Sequence, residues 1–176
     1  MLKGNQTLLF RVKGEDANDI IKLRNNPSIS KYLSGEKELS LEDQINWIIN
    51  NNTISNDYYW KICNTNNVFC GTISLYNNKD GKAEFGRYIC IHPIQAIEAE
   101  MLLIRFAFQV CNLEEIYCRT VMENTKVWKQ HYSFGFQDLR EEILPSKNFI
   151  LKVQHLTHKA FSQFDYSKID KLIDRL

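Results

Sequence analysis

Phe85-Gly86-Arg87-Tyr88-Ile89-Cys90-Ile91, then His92-Pro93-Ile94-Gln95, then Ala96-Ile97-Glu98-Ala99-Glu100-Met101: these residues decide the fold. The first seven read as a strand, the next four as a junction, and Ala96–Cys111 as a long apolar helix. Beyond it, Ile116–Val121 reads as a second strand. Asn124 then opens a short helix, Thr125–Phe134, that closes on Phe134-Gly135-Phe136. A strand running straight into a helix N-terminus is an anion site, because the first N–H groups lack partners and the helix dipole favours negative charge.

Working outward, Leu8–Val12 alternates as a strand, Gly14-Glu15-Asp16 is a turn with Asp16 as helix cap, and Ala17–Asn25 is a helix. Pro27 ends it, because the residue before proline is pushed out of the helical region. Ile29–Leu33 is one or two helical turns and Gly35–Leu39 a charged connector. Ser40 caps a second helix carrying Leu41, Ile45, Ile48 and Ile49, with Trp47 off the centre of that face and placed to line a groove. Tyr58–Cys63, Val68–Tyr76 and Lys82–Ile91 form an antiparallel meander with turns at Asn64–Asn67 and Asn77–Gly81. After the deciding stretch come strands Phe136–Ile143 and Asn148–Gln154, then helices Leu156–Phe164 and Ser167–Leu176. The expected architecture is α/β: a mixed, mainly antiparallel central sheet with helices on both faces. Without repeats or a linker, residues 1–176 read as one domain, its core about residues 7–161 plus an extra C-terminal helix.

Composition narrows the class. Hydrophobic residues make up 44% and aromatics 12% of 176 residues, which excludes a disordered chain. A net charge of +1 gives no push towards nucleic acid or membrane. The polar start Met1–Gln6 is not a signal peptide, and Met101–Val110 is too short and too charged for a span. Cys63, Cys70, Cys90, Cys111 and Cys118 lack paired spacing and read as reduced thiols of a cytoplasmic protein. No metal site is expected.

Three segments carry a resemblance. Val121-Met122-Glu123-Asn124 through His131-Tyr132-Ser133-Phe134-Gly135-Phe136 follows the spacing V-x-x-x-N-x-x-A-I-x-x-Y-x-x-x-G-F. Ala107-Phe108, Asn112-Leu113 and Ile116-Tyr117 match a helix–strand joint A-F-x-x-x-L/N-L-x-K-I. Glu15-Asp16-Ala17 and Leu23-Arg24-Asn25-Asn26-Pro27 match an opening E-D-A…W-R-N-D-P. Together these resemble the GNAT superfamily of N-acetyltransferases, in the branch of ribosomal-protein, polyamine and sugar-nucleotide N-acetyltransferases. Within it the chain is most similar to the amino-sugar N-acetyltransferases of pseudaminic-acid synthesis.

The resemblance implies acetyl-CoA as co-substrate, a small-molecule amine as acceptor, direct attack in a ternary complex, and a family habit of pairing edge strands in homodimers. It places Tyr88, Ile89, Cys90 and Ile91 on the strand whose backbone faces the thioester and pantetheine. It places Gln95, Ala96, Ile97, Glu98 and Ala99 at the pyrophosphate, and Asn124 at its helix start near the pantetheine. His131 holds the position of the family's acidic tyrosine, with Tyr132 beside it as alternative, while Glu84 is placed to take a proton from the amine. Arg24, Asn25 and Trp47 fall on the acceptor side, where Arg24 and Asn25 would bind a phosphate or hydroxyls or simply hold a loop closed.

One departure stands out. The family's pyrophosphate loop is glycine-rich so that backbone N–H groups can approach the phosphates. Here both glycine places hold glutamate, Glu98 and Glu100. At an effective dielectric near 20 and ~6 Å, each like-charge pair costs roughly 2–3 kcal/mol. The expectation is that Glu98 and Glu100 turn to solvent while Ile94, Ile97, Met101, Ile104 and Phe108 form the buried stripe, leaving the N–H groups of Ala96–Ala99 free. Two other functions stay open: a non-catalytic binding protein on a degenerate scaffold, and a protein N-terminal acetyltransferase.

Overall fold

The computed structural model describes residues 1–33, 39–145 and 148–174. Most of the connector expected at Gly35–Leu39 and the last two residues of the C-terminal helix lie outside them. The strands are β1 (Leu2–Lys3), β2 (Thr7–Arg11), β3 (Tyr58–Asn64), β4 (Phe69–Lys79), β5 (Lys82–Cys90), β6 (Glu115–Val121), β7 (Gln137–Leu144) and β8 (Phe149–Thr157). They form one sheet in the order β1-β2-β3-β4-β5-β6-β8-β7. Every neighbouring pair is antiparallel except β5 and β6.

The helices are α1 (Ala17–Arg24), α2 (Pro27–Ser30), α3 (Leu41–Asn52), α4 (Pro93–Arg105), α5 (Thr125–Tyr132), α6 (His158–Gln163) and α7 (Ser167–Asp174). Successive strand residues point to opposite faces, so Tyr59 and Trp60 enter different cores. Tyr59 packs with Val12, Ala17, Ile20 and Ile48 under α1 and α3. Trp60 packs with Leu9, Ile62, Phe85, Leu103, Ile104 and Phe108 under α4. The sheet therefore carries helices on both faces.

Local chemistry sets several boundaries. Ser40 caps α3 by accepting the Asp43 N–H at 3.1 Å and donating its hydroxyl to the Asp43 carboxylate at 2.7 Å. Asp16 does not cap α1. Its carboxylate turns back to the Lys13 N–H at 2.8 Å and pairs with Lys61. Helix α4 begins at Pro93, three residues before the expected start, because proline is at home in the first helical position, where no N–H is needed. It ends in a π turn over Phe106–Val110, closed by the Cys111 N–H on the Phe106 carbonyl.

The glutamates of α4 correct the sequence expectation. Glu98 is 3% and Glu100 0% exposed, so neither reaches solvent. Glu98 accepts the backbone N–H groups of Asn5 and Gln6, and Glu100 binds His131 and Gln130. Met101, Ile104 and Phe108 are buried as expected, whereas Ile94 and Ile97 are only half-buried. The helix is buried nearly all round and its charges are internal struts.

Candidate acetyl-transfer site

Strands β5 and β6 pair over three residues only: Lys82 with Glu115, Ala83 with Ile116 and Glu84 with Tyr117. Past Glu84, β5 stays zipped to β4 as far as Cys90, and β6 stays zipped to β8 as far as Val121. The two strands therefore part like a V, and the β6-facing backbone groups of β5 lose their ladder partners.

A β-bulge sits at the mouth of this opening. Ser74 pairs with Gly86 and Thr72 with Ile89, so Ile73 faces both Arg87 and Tyr88. Arg87 takes a left-handed φ of 48°, and the Thr72 hydroxyl donates to its carbonyl at 2.9 Å. Gly71 lets the strands close on each other here, since a Cβ at that position would lie 2.0 Å from the Ile89 carbonyl oxygen. Gly86 makes room for a side chain: a Cβ there would meet the Tyr76 hydroxyl at 2.8 Å.

One wall is a buried polar network. The Tyr88 hydroxyl donates to the Ala96 carbonyl and accepts from Gln130 Nε2, each at 2.9 Å. Gln130 also donates to Glu100 at 2.7 Å, and His131 Nδ1 meets the other Glu100 oxygen at 2.7 Å. Helices α4 and α5 and strand β5 are thus cross-linked. Burial works against a charged His131, but the Glu100 carboxylate prevails and pushes its pKa up to about 10. Tyr88 is held well above the ordinary tyrosine range by burial and by Glu100, and burial pushes the Cys90 thiol up to about 12.

The sequence candidates fall in several places. His131 is 2% exposed, and its Nδ1 is committed to Glu100. Tyr132 is 40% exposed and its hydroxyl donates to the Asp138 carboxylate; the burial it has, and then that attachment, raise its pKa. Glu84 is not an open strand-end carboxylate. It is buried under the Tyr76 hydroxyl, Asn77 and a two-pronged contact from Arg119, whose pKa that hydrogen bond raises. Tyr88, Ile89, Cys90 and Ile91 lie along the parted end of β5 and beyond it, with Ile91 exposed.

Because α4 starts at Pro93, the Ala96 N–H already donates to the His92 carbonyl at 2.9 Å. Ile97, Glu98 and Ala99 lie deeper in the helix, so the free first-turn N–H groups are those of Ile94 and Gln95, not of Ala96–Ala99. Asn124 begins α5 without a side-chain cap bond. Asn25 ends α1, beside the half-buried Arg24. Trp47 is 38% exposed, with the Arg87 guanidinium 4.8 Å from its ring centre.

Arg87, Tyr76, Arg119 and Gln130 were not singled out from the sequence. A glycine inside a strand, Gly86, was the available signal for the bulge that aims Arg87. Among the described residues no group of three His, Cys, Asp or Glu is placed to hold a metal.

Comparison with known proteins agrees with this geometry. A family model described as "Acetyltransferase (GNAT) domain" matches residues 7–137. The chain belongs to this acetyltransferase family. Apo FdhC, described as a nucleotide-linked sugar GNAT, superimposes with a TM-score of 0.80 at 23% identity, covering 98% of this chain and 96% of that one. Spermidine N-acetyltransferase from Vibrio cholerae, solved with CoA and spermine, gives 0.79 at 18% identity, covering 91% and 100%. A GNAT-family acetyltransferase from Bacillus anthracis gives 0.77 at 16%, covering 90% and 98%. A search of curated protein sequences found no match.

Proposed function

We propose that the chain transfers acetyl from acetyl-CoA to the amine of a small acceptor, a nucleotide-linked amino sugar, by direct attack. The observation that carries this is the V between β5 and β6, which opens at a bulged strand beside a helix N-terminus. The parted edge of β5 offers backbone N–H groups to the carbonyl oxygen as it becomes an oxyanion. The free N–H groups of Ile94 and Gln95 and the α4 dipole suit the CoA pyrophosphate. The glycine-free loop is compatible with that anion because Glu98 and Glu100 face inward onto their own donors.

The acceptor amine must be neutral to attack. Glu84 takes its proton only through Tyr76, whose hydroxyl donates to it at 2.7 Å and lies over Gly86 at the mouth. The leaving group makes small demands, since a thiol pKa near ~8.5 makes a thiolate a tolerable leaving group. An acid at His131 or Tyr132 is therefore dispensable, and His131 serves by fixing α5 against α4. The sugar-nucleotide acceptor is supported by the FdhC likeness and by the cationic Arg24 on the acceptor side.

Thermal unfolding with acetyl-CoA tests the reading. At a hundredfold excess over Kd, stabilisation of about 2.7 kcal/mol is expected. Free thiol should then appear with a nucleotide-linked amino sugar and not with a peptide N-terminus. Absence of any shift at millimolar acetyl-CoA would leave the non-catalytic scaffold.

A further inference from the structure

The covalent joint between β5 and α4 is exposed at Ile91, His92 and Pro93 and contains no glycine. A side chain spans the same gap from inside. The bulge at Gly86 and Arg87 adds one residue to β5. Tyr88 therefore stands on the same face as Phe85, whereas an unbroken strand would place Phe85 and Arg87 together. The two rings lie 5.4 Å apart between centres, and both belong to the core under α4. Arg87 keeps the opposite face, against Asn51 of α3. The bulge thereby aims Tyr88 at α4.

The Tyr88 hydroxyl donates to the Ala96 carbonyl at 2.9 Å, across eight residues of chain. Ala96 follows directly on Ile94 and Gln95, whose N–H groups are the free ones at the helix start. The bond has a fixed direction. Gln130 Nε2 can only donate, and it donates to the Tyr88 hydroxyl at 2.9 Å and to Glu100 at 2.7 Å. The hydroxyl proton is therefore left for the Ala96 carbonyl. Burial and the Glu100 carboxylate keep the phenol protonated, so this donor persists at neutral pH.

We propose that Tyr88 is a positioning residue whose side chain sets the distance between the two ends of the acetyl-CoA site. One end is the parted backbone of β5, which meets the thioester. The other is the pair of free N–H groups on Ile94 and Gln95, which meets the pyrophosphate. The inference rests on the acetyl-transfer reading. The pantetheine arm joins thioester to pyrophosphate, so both bind together only when the protein holds its own two ends in register. Binding at one end is then converted into orientation at the other. The hydroxyl acts through α4 and not on the cofactor itself.

Isothermal titration of the full chain with two probes isolates this role. Acetyl-CoA reaches both ends of the site. Adenosine diphosphate keeps the pyrophosphate but cannot reach the V, and only the part of its binding that acetyl-CoA displaces is counted. Tyr88→Phe removes the hydroxyl and keeps the ring. It should weaken acetyl-CoA roughly tenfold or more, the scale of one or two lost hydrogen bonds. Adenosine diphosphate should change by less than about twofold, because a ligand held at one end does not sense the spacing. Gln130→Met frees the hydroxyl from one of its two partners and should weaken acetyl-CoA selectively by a smaller factor. That second variant keeps the test open if Tyr88→Phe does not fold.

Three outcomes overturn the positioning role while leaving the acetyl-transfer reading intact. Equal weakening of both probes would make Tyr88 a mere support of the helix start. Unchanged acetyl-CoA affinity in Tyr88→Phe would make its hydroxyl idle. A wild-type chain that binds acetyl-CoA but no displaceable adenosine diphosphate would have no separate pyrophosphate anchor to space. A wild-type chain that ignores acetyl-CoA would instead reject the acetyl-transfer reading, and the role of Tyr88 with it.

Discussion

The two sides of β5 handle charge in opposite ways. Towards α4 and α5, each buried charge has a partner: Glu100 holds His131 and Gln130, and Glu98 holds the Asn5 and Gln6 N–H groups. Towards α1 and α3, Arg87 donates only to the neutral Asn51 amide oxygen and the Ser74 hydroxyl, with its plane over Tyr76. A matched buried charge holds elements together, whereas Arg87 is held by neutral acceptors and ring faces. That difference ties His131 to the packing of α5 on α4, whatever its place in the motif.

Removing a matched charge should cost most. Glu100→Ala leaves His131 buried without its counter-ion, and breaking a buried pair this way costs about 3–5 kcal/mol. For a domain of this size that lowers Tm by on the order of 10 °C, measured by thermal unfolding. A loss under about 1 kcal/mol would mean the pair is idle and the two sides are not different in kind.

The same pair should make stability depend on pH. The His131 pKa is raised to about 10 in the folded chain. In the unfolded chain it lies near ~6.5. The pair's contribution is therefore complete below about pH 6.5 and is lost as pH rises through about 10. The urea midpoint should fall between pH 7 and 10, and His131→Gln should remove most of that slope. Equal slopes in the two proteins would show that His131 is not charged in the fold.

How far this was legible in the sequence follows from the range of the interactions. The meander, the strand–helix–strand order and the Ser40 cap follow from periodicity and from contacts three residues apart, and all three read correctly. The start of α4 was misplaced because Pro93 reads equally as a loop residue and as a first helical residue. Glu98 and Glu100 were turned the wrong way because amphipathic reasoning sends charges to solvent. Their partners Asn5 and His131 lie 93 and 31 residues away, which no local pattern reveals. The V was expected only through the family resemblance, since parted strands have the same composition as paired ones. The bulge had a local sign in Gly86, but the direction of Arg87 is set by its left-handed backbone and by α3.

The smallest effect gives the cleanest contrast. Arg24→Gln removes a half-buried guanidinium with no hydrogen bond or ion pair among the described residues. Stability should change by no more than about 0.5 kcal/mol, as for surface substitutions that touch no special feature, with a shift, if any, towards greater stability. The measurement is the urea midpoint at neutral pH, where Glu100→Ala shows its large loss. If Arg24→Gln instead costs about 2 kcal/mol, Arg24 is a strut like Glu100, and the two sides do not differ. A neutral or raised midpoint separates the two sides by experiment: one where removing charge unfolds the chain, and one where it does not.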